Sequence, residues 1–371
     1  MIETLVIGGG PAGAALAAHL ARRGQGVLLI ERQSGPHHKV CGEFLSEEAV
    51  FYLYELGIDP EKLGAVPITN VSLAAGKSPI DVPLPFVAMS LSRRVLDEAL
   101  LQRAVDLGAE ILRGRTVKSL QREEGRWAAA LDDGRSILAR HAFLATGKHD
   151  LRDWRRPPGR QSDLLAFKLH WRLRTEAALN SEVELFFFPG GYAGLEPIEG
   201  GLANLCLVVR GARFAAIGSK WEALHEALLR ACPHLRRRLE GAEPCWARPL
   251  AVAAIPYGFV QTRSEGIWRL GDQAACIPSF AGDGIAIALH SAHLAAQFYC
   301  RGAGAPEFQA RLASDIMGQV SRATLLSKML VDPAGQVLAA AAARMMPELL
   351  GFVARRTRIP KHQRYGTRLP A

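Results

Sequence analysis

The period of apolar residues changes twice within the first thirty positions. Thr4–Ile7 is a short, β-branched apolar run and reads as a buried parallel strand. Ala12 to Arg23 is alanine-rich and reads as a helix, and Val27–Ile30 is a second apolar run that stops at Glu31. Residues 1–35 therefore predict a β-α-β unit. Leu91–Leu107 has helical spacing and ends before Gly108. Glu110–Leu112 and Thr116–Leu120 follow as strands. Trp127–Leu131 and Ser136–Ala139 flank Asp133-Gly134, a hairpin signal. Ala142–Ala145 is a further strand, closing at Thr146-Gly147.

The pattern then shifts. RDWRRPPGRQ, residues 152–161, is basic and proline-rich and predicts a linker. Beyond it lie β-like runs, LLAFKLHWRL, EVELFFFP, ANLCLVV and AVAAIPYGF, with one helix at Ser219–Ala231. Ile267–Leu270 returns to a buried strand, followed by helices at Ile285–Ala296, Pro306–Leu330 and Gln336–Arg355. The expected fold class is α/β, with a dinucleotide domain in separated pieces, a mixed sheet beside it and C-terminal helices.

At 371 residues the chain can bury a large core and is expected to hold two domains. It has no 18-residue uncharged apolar run, so no transmembrane span is expected. The first strand begins at the N-terminus, so no cleaved signal peptide is expected. The six cysteines are scattered without a C-x-x-C pair, against a zinc site or a disulfide framework and in keeping with a reducing cytoplasm. No spacing of His, Asp and Glu suggests a metal, and no nucleophile–base pair suggests hydrolysis. Much of the formal charge of +9 gathers in the tail ARRTRIPKHQRYGTRLPA rather than beside stacking aromatics, which argues against nucleic acid. That tail is a solvated terminus or a contact for an anionic membrane surface or an acidic carrier protein.

Gly8, Gly10 and Gly13 occupy the predicted strand-to-helix turn, the context a G-x-G-x-x-G match requires. Gly8 permits the tight turn, Gly10 lets the backbone approach a pyrophosphate and Gly13 lets helix and strand pack closely. Glu31, ending the second strand, can bind both hydroxyls of an adenosine ribose. A second constellation lies in WRLGDQAACIPSFAGDGIAIALHSAHLAA. Asp272, at a strand's carboxyl end, can accept hydrogen bonds from a ribityl chain. Backbone N–H groups at Gly282–Ile285, backed by a helix dipole, can stabilise negative charge near N1–O2 of a reduced flavin.

From Met1 to about Ala296 these motifs resemble the FAD-dependent oxidoreductases of the p-hydroxybenzoate hydroxylase fold, which include aromatic and polyketide monooxygenases, flavin halogenases and geranylgeranyl reductases. Ser92-Arg93-Arg94 resembles the segment whose arginine reaches the FAD, with Arg94 the chosen residue. Lys39-Val40-Cys41-Gly42-Glu43 resembles the K-x-C-G turn of the geranylgeranyl reductase branch. Phe188-Pro189-Gly190-Gly191-Tyr192-Ala193-Gly194-Leu195-Glu196-Pro197 resembles that branch's P-G-G-Y-x-W-x-F-P strand. Gly194 and Glu196 replace its Trp and Phe. Thr146 replaces an acid of a nicotinamide-linked signature, so NADH or NADPH stays open as electron donor. The tryptophan-rich halogenase signature is missing.

The resemblance implies a discontinuous FAD-binding domain of the GR2 type at 1–70, 90–155 and 263–300. A substrate-binding sheet takes 71–89 and 156–262, and helices with the basic tail take 301–371. The implied FAD site comprises Gly8, Gly10, Pro11, Ala12, Gly13, Glu31 and Arg32; Cys41, Gly42, Arg94, Val117, Thr146 and Gly147; and Gly271, Asp272, Pro278, Gly282, Asp283, Gly284 and Ile285. Cys41 and Tyr192 are the candidate catalytic residues. Lys39 or His38 would supply the cation a Cys41 thiolate needs. His170 and Trp171 read as core, Phe186–Phe188 as core, and His37 and His38 as loop. The function expected first is monooxygenation of an aromatic or polyketide-like small molecule through a flavin C4a-hydroperoxide, with the altered P-G-G-Y strand weighing against a long isoprenoid. The alternative is a flavin-dependent C=C reductase of the geranylgeranyl reductase type, followed by a halogenase or a non-catalytic flavoprotein.

Overall fold

In a computed structural model, which describes residues 2–74, 79–346 and 348–360, the chain forms two large sheets. In the first, parallel strands Glu110–Arg113, Val27–Glu31, Ile2–Ile7 and Ser136–Leu144 lie side by side in that order. Trp268–Arg269 adds beside the last, pairing Trp268 with Phe143. Helices cover this sheet, and its central strands Ile2–Ile7 and Val27–Glu31 are accordingly mainly apolar rather than alternating. The helix Pro11–Ala21 is buried along its whole length. It packs against Arg93–Asp106 and Gly284–Cys300. Its alanines permit that close approach.

The second sheet runs in the order Glu243–Pro244, Leu164–Arg172, Leu202–Arg210, Gly191–Ile198, Glu182–Phe188, Val66–Ala74, Ile80–Ser90 and Phe44–Leu45. Val66–Ala74 pairs antiparallel with Ile80–Ser90 and parallel with Glu182–Phe188. The second sheet thus draws in residues before position 71 that were expected in the dinucleotide domain. The helices Ala305–Leu330, Pro333–Met345 and Glu348–Arg356 follow.

Several expectations need correction. Ser136–Leu144 is one strand, because Arg140 is exposed and reaches Glu3 at 3.4 Å without interrupting the ladder. Within AVAAIPYGF only Ala251, Val252 and Phe259 fall in strands; positive φ angles at Ala254 (52°) and Gly258 (82°) bend the rest. The helix expected over Gln336–Arg355 breaks after Met345, since Met346 precedes a proline and adopts φ −140°, ψ 75°. The segment 152–161 is packed rather than a loose linker. The buried Arg156 guanidinium bonds Asp150 at 2.7 Å and the Asp272 carbonyl at 2.6 Å. Within the basic tail, Arg355 and Arg356 are exposed and Thr357, Arg358 and Ile359 are buried, while residues 361–371 lie outside the described residues. The helix Glu47–Glu55 and the strand Val66–Ala74 had no counterpart in the sequence reading.

Candidate active site

A cavity of about 540 Å³ opens at the carboxyl ends of the parallel strands. Gly8, with φ +107°, ends the first strand and donates its N–H to the Ile30 carbonyl at 2.9 Å. A Cβ on Gly13 would lie 1.9 Å from the Gly8 carbonyl oxygen, so only glycine lets the turn close there. Gly10 caps the helix Pro11–Ala21 with no side-chain hydrogen bond, leaving the first-turn N–H groups to a ligand. Its own conformation is ordinary (φ −75°), and a Cβ on it would meet nothing nearer than Arg93 Nη2 at 3.5 Å and Lys39 Nζ at 3.8 Å.

Those two cations stand beside the turn where the sequence reading expected Arg94. Arg93 binds Asp97 through Nε at 2.7 Å and Lys39 binds the same carboxylate at 2.9 Å, which fixes both beside the Gly10 turn. Burial opposes the Arg93 charge, and Asp97 more than offsets it, raising its pKa. Arg94 is exposed and lies outside the cavity lining, whereas Arg93 lines it. Successive helical residues point about 100° apart, and nothing in the dipeptide reveals which one faces inward.

Glu31 Oε2 accepts the Gly9 N–H at 2.7 Å and Oε1 the Gln33 N–H at 3.0 Å, aiming its carboxylate along the cavity wall. Pro11, Ala12, Arg32, Val117, Thr146 and Gly147 also line the cavity. The Thr146 hydroxyl is taken by the His149 carbonyl at 2.6 Å.

The second glycine turn comes to the same cavity. Gly271, Asp272, Gly282, Gly284 and Ile285 all line it. Asp272 lies 3.5 Å from Lys148, which burial pushes down and Asp272 pulls up to a net rise in pKa. Gly284 starts the helix Gly284–Cys300, and a Cβ there would meet no atom within 4 Å. Gly13, Pro278 and Asp283 are buried outside the lining and shape the turns from behind. The Asp283 carboxylate instead pairs with Arg358 at 2.5 Å. Burial raises Asp283 to about 6, while Arg358 pulls it down.

The K-x-C-G turn is held by groups that no local pattern marks. Glu43 is fully buried with φ 67°, a left-handed conformation that costs a non-glycine residue roughly 1–2 kcal/mol. Its carboxylate is anchored by Lys168, by His170 Nε2 at 2.7 Å and by the Arg93 N–H at 2.7 Å. Burial pushes the Glu43 carboxyl up, but Lys168 and His170 outweigh it and hold the pKa below the ordinary value. Asn204 donates to the Cys41 and Gly42 carbonyls at 3.2 and 2.9 Å. Cys41 lines the cavity, and its Sγ accepts the Glu43 N–H at 3.3 Å. His38 packs between His170 and Trp246, with ring centroids 4.9 and 4.8 Å away. Burial, then His170 and Lys168, push His38 down to about 4. His38, Glu43 and His170 bring ligand atoms within 4.8 Å of one another, but the Lys168 ammonium already occupies the carboxylate a cation would need.

A second cavity, of about 530 Å³, meets the first at Gly42, Phe44, Cys206, Ser279 and Gly282, which line both. Its walls are mainly aliphatic and aromatic: Val71, Leu73, Leu185 and Phe187 from the second sheet, Met329 and Leu338 from the C-terminal helices. Tyr192 lines it with its hydroxyl 3.1 Å from Ser279 Oγ, and burial pushes that phenol to about 12. Gly194 leaves space, since a Cβ there would meet only Leu185 Cδ2 at 3.7 Å. Glu196 also lines this cavity, 4% exposed, with Asn204 Nδ2 at 3.4 Å. Burial raises its pKa well above the carboxylate range, and the neighbouring Glu43 charge adds to the rise.

Residues 1–139 match the family model described as an FAD binding domain. Menaquinone reductase of Mycobacterium tuberculosis is 27% identical over 324 residues, covering 80% of this chain and 76% of its own. Digeranylgeranylglycerophospholipid reductase 1 of Methanothermobacter thermautotrophicus is 28% identical over 321 residues, covering 80% and 76%. Rifampicin monooxygenase of Streptomyces venezuelae is 26% identical over 153 residues, covering 40% of this chain and 32% of its own. Among solved structures, the flavin-dependent brominase Bmp2 superposes with a TM-score of 0.77 over 96% of this chain and 93% of its own, at 19% identity, a likeness of fold.

Proposed function

We propose that this chain, a flavoprotein of the FAD-dependent oxidoreductase superfamily with an FAD-binding domain at its N-terminus, reduces a carbon–carbon double bond in a long apolar substrate of isoprenoid-lipid type. The observation that carries this reading is the apolar second cavity meeting the cofactor cavity at Gly42. Each methylene taken from water into such a lining stabilises binding by about 0.8 kcal/mol, so the lining favours a hydrocarbon chain over a compact polar ring. Relatives that match along most of the chain include a menaquinone reductase and a digeranylgeranylglycerophospholipid reductase, whereas the monooxygenase relative matches 40% of it. The sequence reading weighs Gly194 and Glu196 together against a long isoprenoid. The space left at Gly194 reverses that weighting.

FAD, when bound and reduced, supplies a hydride. The chain's own residues do the rest. Lys39, Arg93 and the N-terminus of Pro11–Ala21 neutralise a pyrophosphate, and Glu31 takes ribose hydroxyls. Asn204 and the Glu43–Lys168–His170 cluster fix the Cys41–Gly42 turn where the two cavities join. Glu196 holds a proton in the substrate cavity and gives it to the alkene carbon that does not receive the hydride, so two hydrogens are added in all. Cys41 lines the cofactor cavity and not the substrate cavity, which makes Glu196 the better-placed donor.

The test is to reduce the holoprotein anaerobically and add a polyprenyl lipid. Reoxidation of the flavin, with a product two hydrogens heavier, supports the reading. Turnover that requires oxygen and inserts an oxygen atom overturns it in favour of hydroxylation.

A further inference from the structure

The helices that roof the apolar cavity carry the densest group of exposed large apolar side chains among the described residues. Leu325, Val337, Leu338, Met345, Met346 and Phe352 are 54 to 83% exposed. A monomer rarely leaves such a cluster to water without use. Leu338 is both exposed and part of the cavity lining, and the half-buried Gly351 and Ala354 line it too. The cluster therefore borders the cavity at Leu338 rather than forming a remote patch. Cations rim it: Arg322, Lys328, Arg344, Arg355 and Arg356 are exposed, against Glu348 as the exposed carboxylate between residues 322 and 356. The Arg356 guanidinium lies 5.1 Å over the ring of Phe352, so charge and apolar surface are interleaved.

We propose that this face docks on an anionic phospholipid bilayer, with Met345, Met346 and Phe352 entering the interface and the arginines meeting lipid phosphates. No helix among the described residues is long and apolar enough to cross a membrane, so the contact is peripheral. Both components are needed: apolar insertion by a few side chains is weak alone, and each basic residue near an anionic surface adds an increment that salt screens. A second copy of the chain would place the same cations opposite themselves, which charge complementarity disfavours. Docking here sets the Leu338 side of the cavity against the phase in which a long apolar substrate dissolves. The proposal uses the functional reading only for the meaning of that placement.

The experiment is co-sedimentation of the full-length holoprotein with vesicles of phosphatidylcholine alone or mixed with phosphatidylglycerol, without turnover, so its failure is separate from failure of the reductase reading. The expected result is binding to the mixed vesicles that weakens as salt rises. Arg355→Ala with Arg356→Ala weakens it by on the order of 30-fold. Met345→Ser with Phe352→Ser weakens it by at least about tenfold. FAD content serves as the folding control for both variants, neither of which touches the cavity lining. The proposal is overturned if the wild-type protein stays in the supernatant with mixed vesicles, or if its binding ignores salt. It is equally overturned if light scattering shows that Met345→Ser with Phe352→Ser converts a dimer to a monomer without altering vesicle binding.

Discussion

Gly10→Ala separates what the first glycine turn does for the fold from what it does for the cofactor. Gly10 has φ −75° and ψ −176°, which alanine adopts without strain. The new methyl would meet no protein atom nearer than Arg93 Nη2 at 3.5 Å. The apoprotein is therefore expected to keep its stability within about 0.5 kcal/mol. The methyl does fill the gap between the helix N-terminus and the Arg93–Lys39 pair, where the pyrophosphate is expected. Overpacking of this kind costs about 1–3 kcal/mol, a loss of roughly 5- to 150-fold in FAD affinity. Gly13→Ala is the contrasting case. Its methyl would lie 1.9 Å from the Gly8 carbonyl oxygen and 3.2 Å from Ala145 Cβ, so backbone must move and fold and cofactor suffer together. Titrating apoprotein with FAD by flavin fluorescence, with urea denaturation of the same apoproteins, reads both quantities. If Gly10→Ala binds FAD as tightly as wild type, the cradle assigned to this turn is wrong.

Glu43→Gln leaves the buried Lys168 ammonium without its carboxylate, and we expect a loss of about 3–5 kcal/mol in urea unfolding. Adding Lys168→Met should recover part of it, and failure to recover any would show that the pair is not the cause. Gly194→Trp should narrow the substrate cavity and raise KM for long polyprenyl chains at least about tenfold, with FAD content unchanged; an unaltered chain-length profile would remove the cavity from the substrate path. Burial, then His290 and Arg23, push His293 down to about 4, and burial with His293 lowers His19 in the same direction. A base depressed in the fold contributes its full stability above the unfolded pKa near 6.5 and loses it as the pH falls towards about 4, because the unfolded chain takes the proton first. The limit for His293 is about 3 kcal/mol before solvent screening, and it is shared with His19, whose ring lies 5.2 Å away. Urea midpoints between pH 7 and 5 should fall, and the fall should be smaller in His293→Asn; an equal fall would assign the effect to other groups.

The sequence alone determined the dinucleotide machinery, because a strand-turn-helix is local and its glycines are dictated by backbone geometry within a few residues. Gly8, Gly10 and Gly13 read directly, and the Gly271–Gly284 turns did too, since strand ends and helix starts are marked by composition, while the meeting of the two segments at one site was implied by the family resemblance. The apolar runs also announced the strands Leu164–Arg172, Glu182–Phe188 and Leu202–Arg210 of the second sheet. Tertiary structure alone decided which arginine faces inward, since Arg93 and Arg94 are equivalent in sequence and only the packing of Arg93–Asp106 against Pro11–Ala21 distinguishes them. It likewise decided the chemistry around Cys41. Glu43, Lys168, His170, Glu196 and Asn204 come from three strands and one turn, and their charges and protonation depend on burial and on partners more than a hundred residues away, with Asn204 and Glu196 the neighbouring pair. The shape of the apolar cavity was out of reach for the same reason. A cavity is the space between elements, and no single segment carries its volume or its lining.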